Sequence, residues 1–538
     1  MNAPEFDHVI VGAGSAGCAL AARLSENPRV RVALIEAGHD DPWVWLRIPV
    51  GVARIMVGDR ALWRYTTEPS VGLGGRAIFC PRGKVFGGTS SVNGMFWVRG
   101  DPLEYDHWRA LGNAGWGYTD LLPLFKRMES YAGGDPAVRG RAGPLVISDI
   151  QPLDRLSRAF IAACGEAGIG VNPDTNGGHY AGAGMIQMST RRGLRWSTRE
   201  GYLRPAMRHP NLRVFSGAQV TRLLFSGARV CGVAYHDAGG QHAIHCGGDV
   251  VLCAGTIQSP QLLELSGIGA PDRLARLGIT TRHALPGVGE NLIDHLHGRL
   301  MVEARGVSTL NEQLQSPLAK ISMALQLAIQ GSGPMSVPGA TAHAYVRTDP
   351  ELRQPDIKLQ LHHLSSPDER NPKKVVLDSF PGFSIGFVHQ QPRSRGSVHV
   401  QSPDPFAAPV IAPNYLSDEA DVAAFVRGLK AARQVMAQPA LAAHVVREVR
   451  PGPQADSDEA LTHYLRSTLF SSYHPVGTCR MGSDAMAVVD AQLRVHGVPG
   501  LRVADASIAP TMPASNTNAF AIVVGEKCAD LLKAERRG

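Results

Sequence analysis

Two polar segments near the end of the chain hold the side chains best suited to acid–base chemistry. Residues 472–482 contain His474, and residues 505–519 contain Asn516. An imidazole titrates at about pH 6.5, so His474 can act as a base at neutral pH without a large pKa shift. Asn516 can donate a hydrogen bond to an oxygen that gains negative charge. A base and a neutral donor acting on one oxygen are what the removal of a hydride from an alcohol requires, so we predict a catalytic pair.

The same residues also have a simpler interpretation. The chain contains 20 histidines, and a histidine chosen by residue type alone is more often structural than catalytic. His474 precedes Pro475, which biases its backbone toward an extended conformation and argues against a helix at this point. The catalytic interpretation therefore depends on what the rest of the chain can place beside this pair.

The first 36 residues contain a complete nucleotide-binding pattern. Its parts are a strand at residues 8–11, a glycine turn at residues 12–17, a helix through Leu24, a strand at residues 30–35 and an acid at Glu36. This is the G-x-G-x-x-G motif with a strand before it, a helix after it and an acidic residue roughly 20 positions further on. An isolated glycine motif is often only a flexible loop, but these surrounding elements predict a dinucleotide site.

Each residue of the turn has a separate task. Gly12 allows the tight turn, Gly14 lets the backbone approach a pyrophosphate, and Gly17 lets the helix and strand pack closely. Ser15 and Ala16 open the helix, whose free N–H groups and partial positive charge face the phosphates.

Glu36 bears on the choice of dinucleotide. Its carboxylate can accept hydrogen bonds from both hydroxyl groups of an adenosine ribose, and it would repel a 2′-phosphate. NADP is therefore disfavoured, whereas FAD and NAD both remain open on these residues alone.

Composition excludes several other classes of protein. The chain has 538 residues, enough for two or more structural units, with 44% hydrophobic and 19% charged residues. Its net charge of +7 is spread without a run of five or more basic residues, so no nucleic-acid surface is indicated. The basic excess could instead attract anionic phosphates or substrates.

Cysteine usage and hydropathy predict the compartment. Eight cysteines occur without a C-x-x-C pair, which favours free thiols over a disulfide framework or a metal site. There is no apolar leader before the first strand and no window of 18 uninterrupted apolar residues. We predict no integral membrane span and a cytoplasmic location, possibly peripheral to a membrane.

The remaining pattern alternates helices and strands. Helices are predicted near residues 153–163 and 422–436 and at residues 519–532, and strands between residues 212 and 235. Residues 250–265 read as a parallel strand returning to the dinucleotide sheet, followed by a glycine turn and a helix. Residues 300–400, which mix Pro, His and β-branched residues, are predicted to form an antiparallel sheet facing a substrate.

Several further motifs occur in the order typical of one family. They lie at residues 11–17 with 36–38, 81–84, 87–94, 254–260, 287–292, 474–482 and 505–518. With these motifs the chain resembles the glucose–methanol–choline (GMC) flavin oxidoreductases, in particular their bacterial choline-dehydrogenase-like branch. The resemblance runs from about residue 6 to residue 532, which is nearly the whole chain.

The resemblance implies a fold, a cofactor and a domain division. The fold would be of the α/β (α+β) class, with a Rossmann-type FAD-binding domain and a discontinuous substrate-binding domain built on an antiparallel sheet. The FAD-binding domain would comprise residues 1–155, 195–305 and 480–538, and the substrate-binding domain residues 156–194 and 306–479. The cofactor implied is FAD rather than NAD, and no metal is expected.

The resemblance also implies residue roles. His474 would be the catalytic base and Asn516 its partner, Asn518 would lie beside the flavin pyrimidine, and the backbone of Val220 would contact adenine. The full set of expected cofactor-binding residues is Gly12, Gly14, Ser15, Ala16, Gly17, Glu36, Ala37, Arg82, Gly83, Gly87, Gly88, Ser90, Asn93, Gly94, Met95, Val220, Ala254, Gly255, Tyr473, Asp505, Ala506, Thr517 and Asn518.

One departure from the family pattern concerns cofactor attachment. Some members attach FAD covalently through a histidine in a G-G-x-S-S-H-N stretch, and the corresponding residue here is Val92. We therefore expect FAD to be bound without a covalent link at this position.

The activity implied is oxidation of a primary alcohol to an aldehyde, with hydride transfer to flavin N5 and a separate electron acceptor, oxygen or quinone. The alternative is a non-redox lyase that holds FAD, similar to the hydroxynitrile lyases of the family. A third interpretation, an electron-transfer or scaffold module, would leave His474 and Asn516 without a purpose.

Choline recognition would favour an aromatic cage beside a carboxylate. Residues 300–400 offer aromatic and imidazole side chains without a clear aromatic–acid cluster: Tyr345, His362, His363, Phe380, Phe383, Phe387 and His389. We therefore expect an aliphatic, aromatic or polyol primary alcohol rather than choline. The sequence sets no oligomeric state.

Overall fold

Two sheets organise the chain, and each has its own hydrophobic core. The computed structural model describes residues 5–150, 154–367 and 374–536. Leu153, where a helix was predicted to begin, lies outside these ranges, and the helix is described from Arg155 to Glu166. The fold predicted from the sequence, a Rossmann-type unit joined to an antiparallel sheet, is confirmed.

The first sheet is parallel and contains the glycine turn. Its strands lie in the order Leu212–Ser216, Val32–Glu36, His8–Val11, Val250–Leu252 and Leu501–Val503. Every neighbouring pair is parallel, so the carboxyl ends of the strands meet at one edge. The three middle strands are buried along their whole length because both faces of the sheet are covered.

Helices Ser15–Ser25 and Asn518–Glu535 pack against each other beside this sheet. A Cβ atom at Gly525 would lie 2.3 Å from the carbonyl oxygen of Ala16, so only glycine permits this close approach. The contact brings the last helix, and the polar segment that precedes it, to the edge where the glycine turn lies.

The second sheet is antiparallel throughout. Its strands lie in the order Val445–Arg450, Leu296–Ala304, Gly382–His389, Ile357–His362, Ala340–Val346 and Gly182–Met185, and Phe470–Ser471 also pairs with Leu296–Ala304. Helix Glu419–Met436 packs on one face of this sheet. The opposite face is turned toward the parallel sheet and the cavity described below.

The strand Ile357–His362 shows how the two faces differ. It is buried at every position, and its side chains alternate between the faces with a period of two. Ile357, Leu359 and Leu361 belong to the core beneath helix Glu419–Met436. The side chains between them, Lys358, Gln360 and His362, line the cavity.

The other elements connect and cover these sheets. The remaining α-helices are Val52–Val57, Pro102–Ala110, Tyr118–Met128, Arg204–Ala206, Gly255–Leu265, Pro271–Arg276, Leu310–Gln313, Pro317–Gln330, Pro439–Ala442 and Asp458–Thr468. The remaining strands are Leu62–Thr66, Phe79–Gly83, Glu129–Tyr131, Leu145–Asp149, Gln187–Met188, Thr190–Arg191, Leu194–Arg195, Gln219–Ser226, Arg229–Asp237, Gly240–His245, Ile268–Gly269, His283–Ala284, Ser397–His399 and Val410–Ala412.

Membrane-spanning segments, the state of the cysteines and the domain division were each predicted from the sequence. None of the helices in the described ranges has the length and apolar character that crossing a bilayer requires. All eight cysteines carry free thiols, and only Cys231 is not buried. The predicted domain division stays a prediction, although the antiparallel sheet already includes Leu296–Ala304, ahead of the boundary expected at residue 305.

Candidate active site

One cavity of about 430 Å³ extends from the edge of the parallel sheet to the inner face of the antiparallel sheet. Both residues of the predicted catalytic pair line it. It is also lined by the following predicted cofactor-binding residues: Gly12, Gly14, Ser15, Ala16, Glu36, Ala37, Arg82, Gly83, Gly88, Asn93, Gly94, Met95, Val220, Ala254, Gly255, Tyr473, Asp505, Ala506, Thr517 and Asn518. Segments far apart in the sequence therefore meet around one space.

Three predicted cofactor-binding residues do not line the cavity but support its wall. A Cβ atom at Gly17 would lie 1.9 Å from the carbonyl oxygen of Gly12, so Gly17 is a packing residue of the turn. The backbone N–H of Gly87 donates to the carbonyl of Ala13, at 2.8 Å. Ser90 Oγ donates to the carbonyl of Gly87, at 2.6 Å, and so holds the loop in place.

The glycine turn and Gly255 form a wall with few side chains. Helix Ser15–Ser25 begins at Gly14 with no side-chain cap and no acid in its first turn. A Cβ atom at Gly14 would meet only the carbonyl oxygen of Cys253 within 4 Å, at 3.9 Å, and one at Gly255 would meet nothing. The uncapped helix and the open glycines leave room for a pyrophosphate, so the residues present fit a dinucleotide.

Glu36 lies at one end of this space. Below, the glycine turn, Glu36 and the segment around Asp505 are together called the cradle. Its two carboxylate oxygens accept hydrogen bonds from the backbone N–H groups of Ala13 and Gly38, at 2.8 and 2.7 Å. Burial raises the pKa of Glu36 to about 7, although these two donors and the more distant Lys84 act in the opposite direction. Each oxygen keeps a further lone pair, so the carboxylate can still accept a ribose hydroxyl.

Asp505 fixes the middle of the cavity. Its carboxylate accepts hydrogen bonds from the backbone N–H groups of Gly255 and Ser507, each at 2.8 Å, and from Ser259 Oγ at 2.6 Å. One buried side chain therefore holds the start of helix Gly255–Leu265 against the strand end at residue 503. These contacts give Asp505 a structural role just after the last parallel strand, Leu501–Val503.

His474 lies at the opposite end of the cavity from Glu36, on an extended segment after a strained residue. Tyr473 has φ of 63°, a conformation that a non-glycine residue rarely adopts. Arg82 Nη2 donates to the carbonyl of Tyr473 at 3.0 Å, and the backbone N–H of His474 donates to Asp294 Oδ1 at 2.8 Å. These contacts set the position from which the imidazole enters the cavity.

A chain of hydrogen bonds determines which nitrogen of His474 carries a proton. His295 Nε2 lies 2.9 Å from the carbonyl oxygen of Gln390, which can only accept, so Nε2 is the protonated nitrogen of His295. Burial lowers the pKa of His295 to about 3, so its Nδ1 carries a lone pair. His474 Nδ1, 3.1 Å away, must then donate to it.

His474 is therefore a neutral imidazole with an unprotonated Nε2 facing the cavity. Burial lowers the pKa of His474 well below its ordinary value, and His295 and Lys358 lower it further. Neutral imidazole is the form that can accept a proton from a substrate hydroxyl.

Asn516 and Lys358 complete the polar group. Asn516 Nδ2 lies 3.1 Å from His474 Nε2, and Lys358 Nζ donates to Asn516 Oδ1 at 2.8 Å. Protonated Lys358 can only donate, so in this form it fixes the amide with its oxygen toward Nζ and its NH₂ group toward His474. The donor and the base needed to handle one hydroxyl oxygen are thus side by side.

Two residues of this site, His295 and Lys358, were not predicted from the sequence, and most of the side chains named as available to a pocket lie elsewhere. Of the seven aromatic and imidazole side chains proposed for the pocket, only His362 lines the cavity. Phe383 and Phe387 lie in the core beneath helix Glu419–Met436, since they are on the other face of their strand. The alternation of Lys, Gln and His with apolar residues at 357–362 was the available signal for Lys358.

Comparison with known proteins agrees with this geometry. The GMC oxidoreductase family matches residues 6–297 through its N-terminal part and residues 392–525 through its C-terminal part. The chain is 39% identical to mitochondrial choline dehydrogenase of Homo sapiens, over 99% of this chain and 90% of that protein. It is 36% identical to an alcohol dehydrogenase (acceptor) of Pseudomonas putida, over 98% of this chain and 95% of that protein.

Solved structures show the same fold. Pyridoxine 4-oxidase from Mesorbium loti superimposes with a TM-score of 0.88 at 31% identity, covering 98% of this chain and 99% of that one. Formate oxidase of Aspergillus oryzae RIB40 superimposes with a TM-score of 0.91 at 26% identity, covering 99% and 98%. The family matches both the N-terminal and the C-terminal part of the chain, and two relatives exceed 30% identity over nearly its whole length. The fold is shared as well. This chain therefore belongs to the GMC oxidoreductase family.

Proposed function

We propose that this protein is an FAD-dependent oxidoreductase that converts a primary alcohol to an aldehyde and passes the electrons to a separate acceptor, oxygen or a quinone. One observation carries the proposal. The unprotonated Nε2 of His474 and the NH₂ group of Asn516 lie side by side in a cavity whose other end is a dinucleotide cradle.

The cradle residues that would hold FAD are those of the glycine turn, Glu36 and the segment around Asp505. When FAD is bound, it supplies the hydride acceptor for the carbinol carbon. Val92, which lines the cavity and is 2% exposed, offers no side-chain nucleophile, and this supports binding without a covalent link at that position.

His474 handles the proton of the substrate. The hydroxyl donates to Nε2, displacing the direct contact between Nε2 and Asn516 Nδ2, and the proton moves to Nε2 as the C–H bond breaks. His295 then still accepts from Nδ1, so the imidazolium that forms keeps a hydrogen-bond acceptor. The neutral aldehyde takes no extra proton with it, so the base is restored when His474 releases this proton to solvent.

Asn516 stabilises the oxygen during this step. Its NH₂ group carries two N–H bonds, and the one released from His474 can donate to the substrate oxygen as that oxygen gains charge. Loss of one such donor typically lowers a rate by roughly 10²–10³. Lys358 holds the amide in the orientation that makes this donation possible.

A cytoplasmic location, with or without attachment to a membrane surface, is also part of the proposal. It is supported by the free thiols.

Anaerobic mixing of the purified holoenzyme with a panel of primary alcohols tests the proposal. We expect at least one alcohol to bleach the absorbance of oxidised flavin at ~450 nm. The absorbance should recover when oxygen or a quinone is added. A flavin that stays oxidised with every alcohol, while a hydroxynitrile is cleaved, would instead identify a lyase.

A further inference from the structure

Lys358 is a buried lysine, and in its protonated form its charge has no partner of opposite sign within the described residues. Its side chain lines the cavity, the residue is 4% exposed, and it sits over the rings of Phe96 and Tyr345 at 5.7 and 5.9 Å. Within the described residues its only hydrogen-bond acceptor is Asn516 Oδ1, and it forms no ion pair. Two of its three N–H bonds therefore lack a protein acceptor.

The acids that line the cavity cannot serve as that partner. Only Glu36 and Asp505 line it among the described residues, and both are bound by backbone N–H groups of the cofactor cradle. Asp294 lies behind His474 outside the cavity lining, where Tyr415, Ser471 and the backbone of His474 occupy its oxygens.

The other groups around Lys358 are cationic or neutral. His295, His297 and His362 line the cavity, and burial lowers the pKa of each, so all three are uncharged. Arg82 and Arg299 also line it. Among the described residues, this end of the cavity therefore has a positive charge balance and no carboxylate to offset the charge of Lys358.

We propose that the substrate is an alcohol that carries a carboxylate one or two carbon atoms from its carbinol carbon, and that Lys358 binds this carboxylate. The inference rests on the proposed alcohol oxidation and adds its substrate class: a short hydroxy acid that is oxidised to the corresponding oxo acid. One proton passes to His474 and the hydride to the flavin, so the carboxylate is unchanged by the reaction.

The spacing of the polar groups sets the length of the substrate. Lys358 contacts the oxygen of the Asn516 amide, and the proposed place of the reacting hydroxyl is at the nitrogen of the same amide, beside His474 Nε2. A carboxylate that reaches Nζ while the hydroxyl lies at Nδ2 must be close to the carbinol carbon. A substrate with a quaternary ammonium at that place would face an uncompensated cation.

Matched substrates test the inference on the holoenzyme. Glycolate and glycolamide differ in charge but hardly in shape, as do 3-hydroxypropanoate and 3-hydroxypropanamide. In anaerobic flavin reduction we expect the acid of at least one pair to exceed its amide by about 10- to 100-fold in the second-order rate constant, as expected for a charge-assisted hydrogen bond. We expect choline to react more slowly than either acid.

The outcomes separate the two proposals. If no alcohol of any charge reduces the flavin, alcohol oxidation itself fails. If the amides or choline reduce it as fast as the acids do, alcohol oxidation stands and the hydroxy-acid inference is wrong.

A binding measurement gives a second readout that needs no turnover. 2-Hydroxy-2-methylpropanoate has a carboxylate beside a tertiary hydroxyl and no carbinol hydrogen, so it can bind but cannot be oxidised. We expect it to perturb the flavin spectrum and raise the Tm of the holoenzyme, whereas neutral 2-methyl-2-propanol at the same concentration has no such effect.

Variants then assign the effect to Lys358. Lys358→Met keeps the length of the side chain and removes its charge, so we expect binding of 2-hydroxy-2-methylpropanoate to weaken by about 10- to 100-fold. Lys320→Met, on the exposed face of helix Pro317–Gln330, is the matched control and should bind as the wild type does. Unchanged binding in Lys358→Met would overturn the inference; if that variant does not fold, the wild-type comparison of acids with amides still decides it.

Discussion

The Nδ1 atoms of His295 and His474 lie 3.1 Å apart and share one proton. Because His295 Nε2 donates to the carbonyl of Gln390, the shared proton belongs to His474. The same contact therefore leaves His474 Nε2 free to accept a proton. The tautomer of the proposed base is set by the backbone carbonyl of Gln390, directly after strand Gly382–His389 and two hydrogen bonds away.

This relationship makes His295 a positioning residue with a measurable effect. In His295→Leu the acceptor for Nδ1–H is lost, so His474 can adopt the wrong tautomer. We expect the anaerobic flavin-reduction rate constant to fall by about 10- to 100-fold. Substrate Kd should change little, and the pH profile of reduction should move, because the pKa of His474 loses the influence of His295. A raised Kd with an unchanged rate constant and pH profile would show only local damage to packing.

Asn516→Ala should remove the donor to the substrate oxygen and keep the flavin. We expect the reduction rate constant to fall by roughly 10²–10³. Lys358 would also lose its acceptor on Asn516. We therefore expect this variant to discriminate less well between hydroxy acids and their amides. Stopped-flow measurement with saturating substrate separates the rate constant from binding. A rate within a factor of two of the wild type would remove Asn516 from the proposed step.

Acid precipitation tests how the cofactor is held. With Val92 at the position where some relatives carry a linking histidine, we expect all of the flavin to appear in the supernatant. Heat or denaturant should release it equally. Yellow colour that stays in the protein pellet would show a covalent link elsewhere in the cavity.

The buried ammonium of Lys358 predicts a pH-dependent cost in stability. Burial lowers the pKa of Lys358 to about 7, while in the unfolded chain it is about 10.4. The unfolded state binds more protons between these values, so the cost is full below about pH 7 and disappears as the pH rises through about 10.4. Lys358→Met should therefore raise the free energy of unfolding of the holoenzyme, on the order of a few kcal/mol at pH 6.5 and much less at pH 9.5.

Thermal unfolding of Lys358→Met and Lys320→Met beside the wild type, at both pH values and without added anion, measures this difference. The exposed control should show no pH-dependent change in Tm relative to the wild type. A gain in Lys358→Met that is the same at both pH values would mean that the effect comes from packing rather than from charge.

The parallel sheet and the cradle could be predicted from the sequence because their signals are local. The strand at residues 8–11 was predicted with the bounds that the structure shows, and the glycines of the turn have a defined spacing. The helix at residues 422–436 was predicted from its apolar periodicity, and a helix was also predicted at residues 519–532. Both lie within a few residues of the observed Glu419–Met436 and Asn518–Glu535.

The partners of His474 could not be predicted in the same way. His295 lies 179 positions before His474, and Lys358 lies 158 positions before Asn516. These contacts depend on the register of the antiparallel sheet, which no short segment of the sequence determines. The same register sends Phe387 to the core, although the sequence analysis named it among the side chains available to a pocket.

The most direct test of the proposed mechanism is anaerobic flavin reduction by the best alcohol in His474→Ala beside the wild type. We expect the variant to purify with its flavin and to be reduced by dithionite as usual. Reduction by the alcohol should slow by several orders of magnitude and recover in part when imidazole is added. Reduction by the alcohol at a rate near that of the wild type would contradict the assignment of His474 Nε2 as the base.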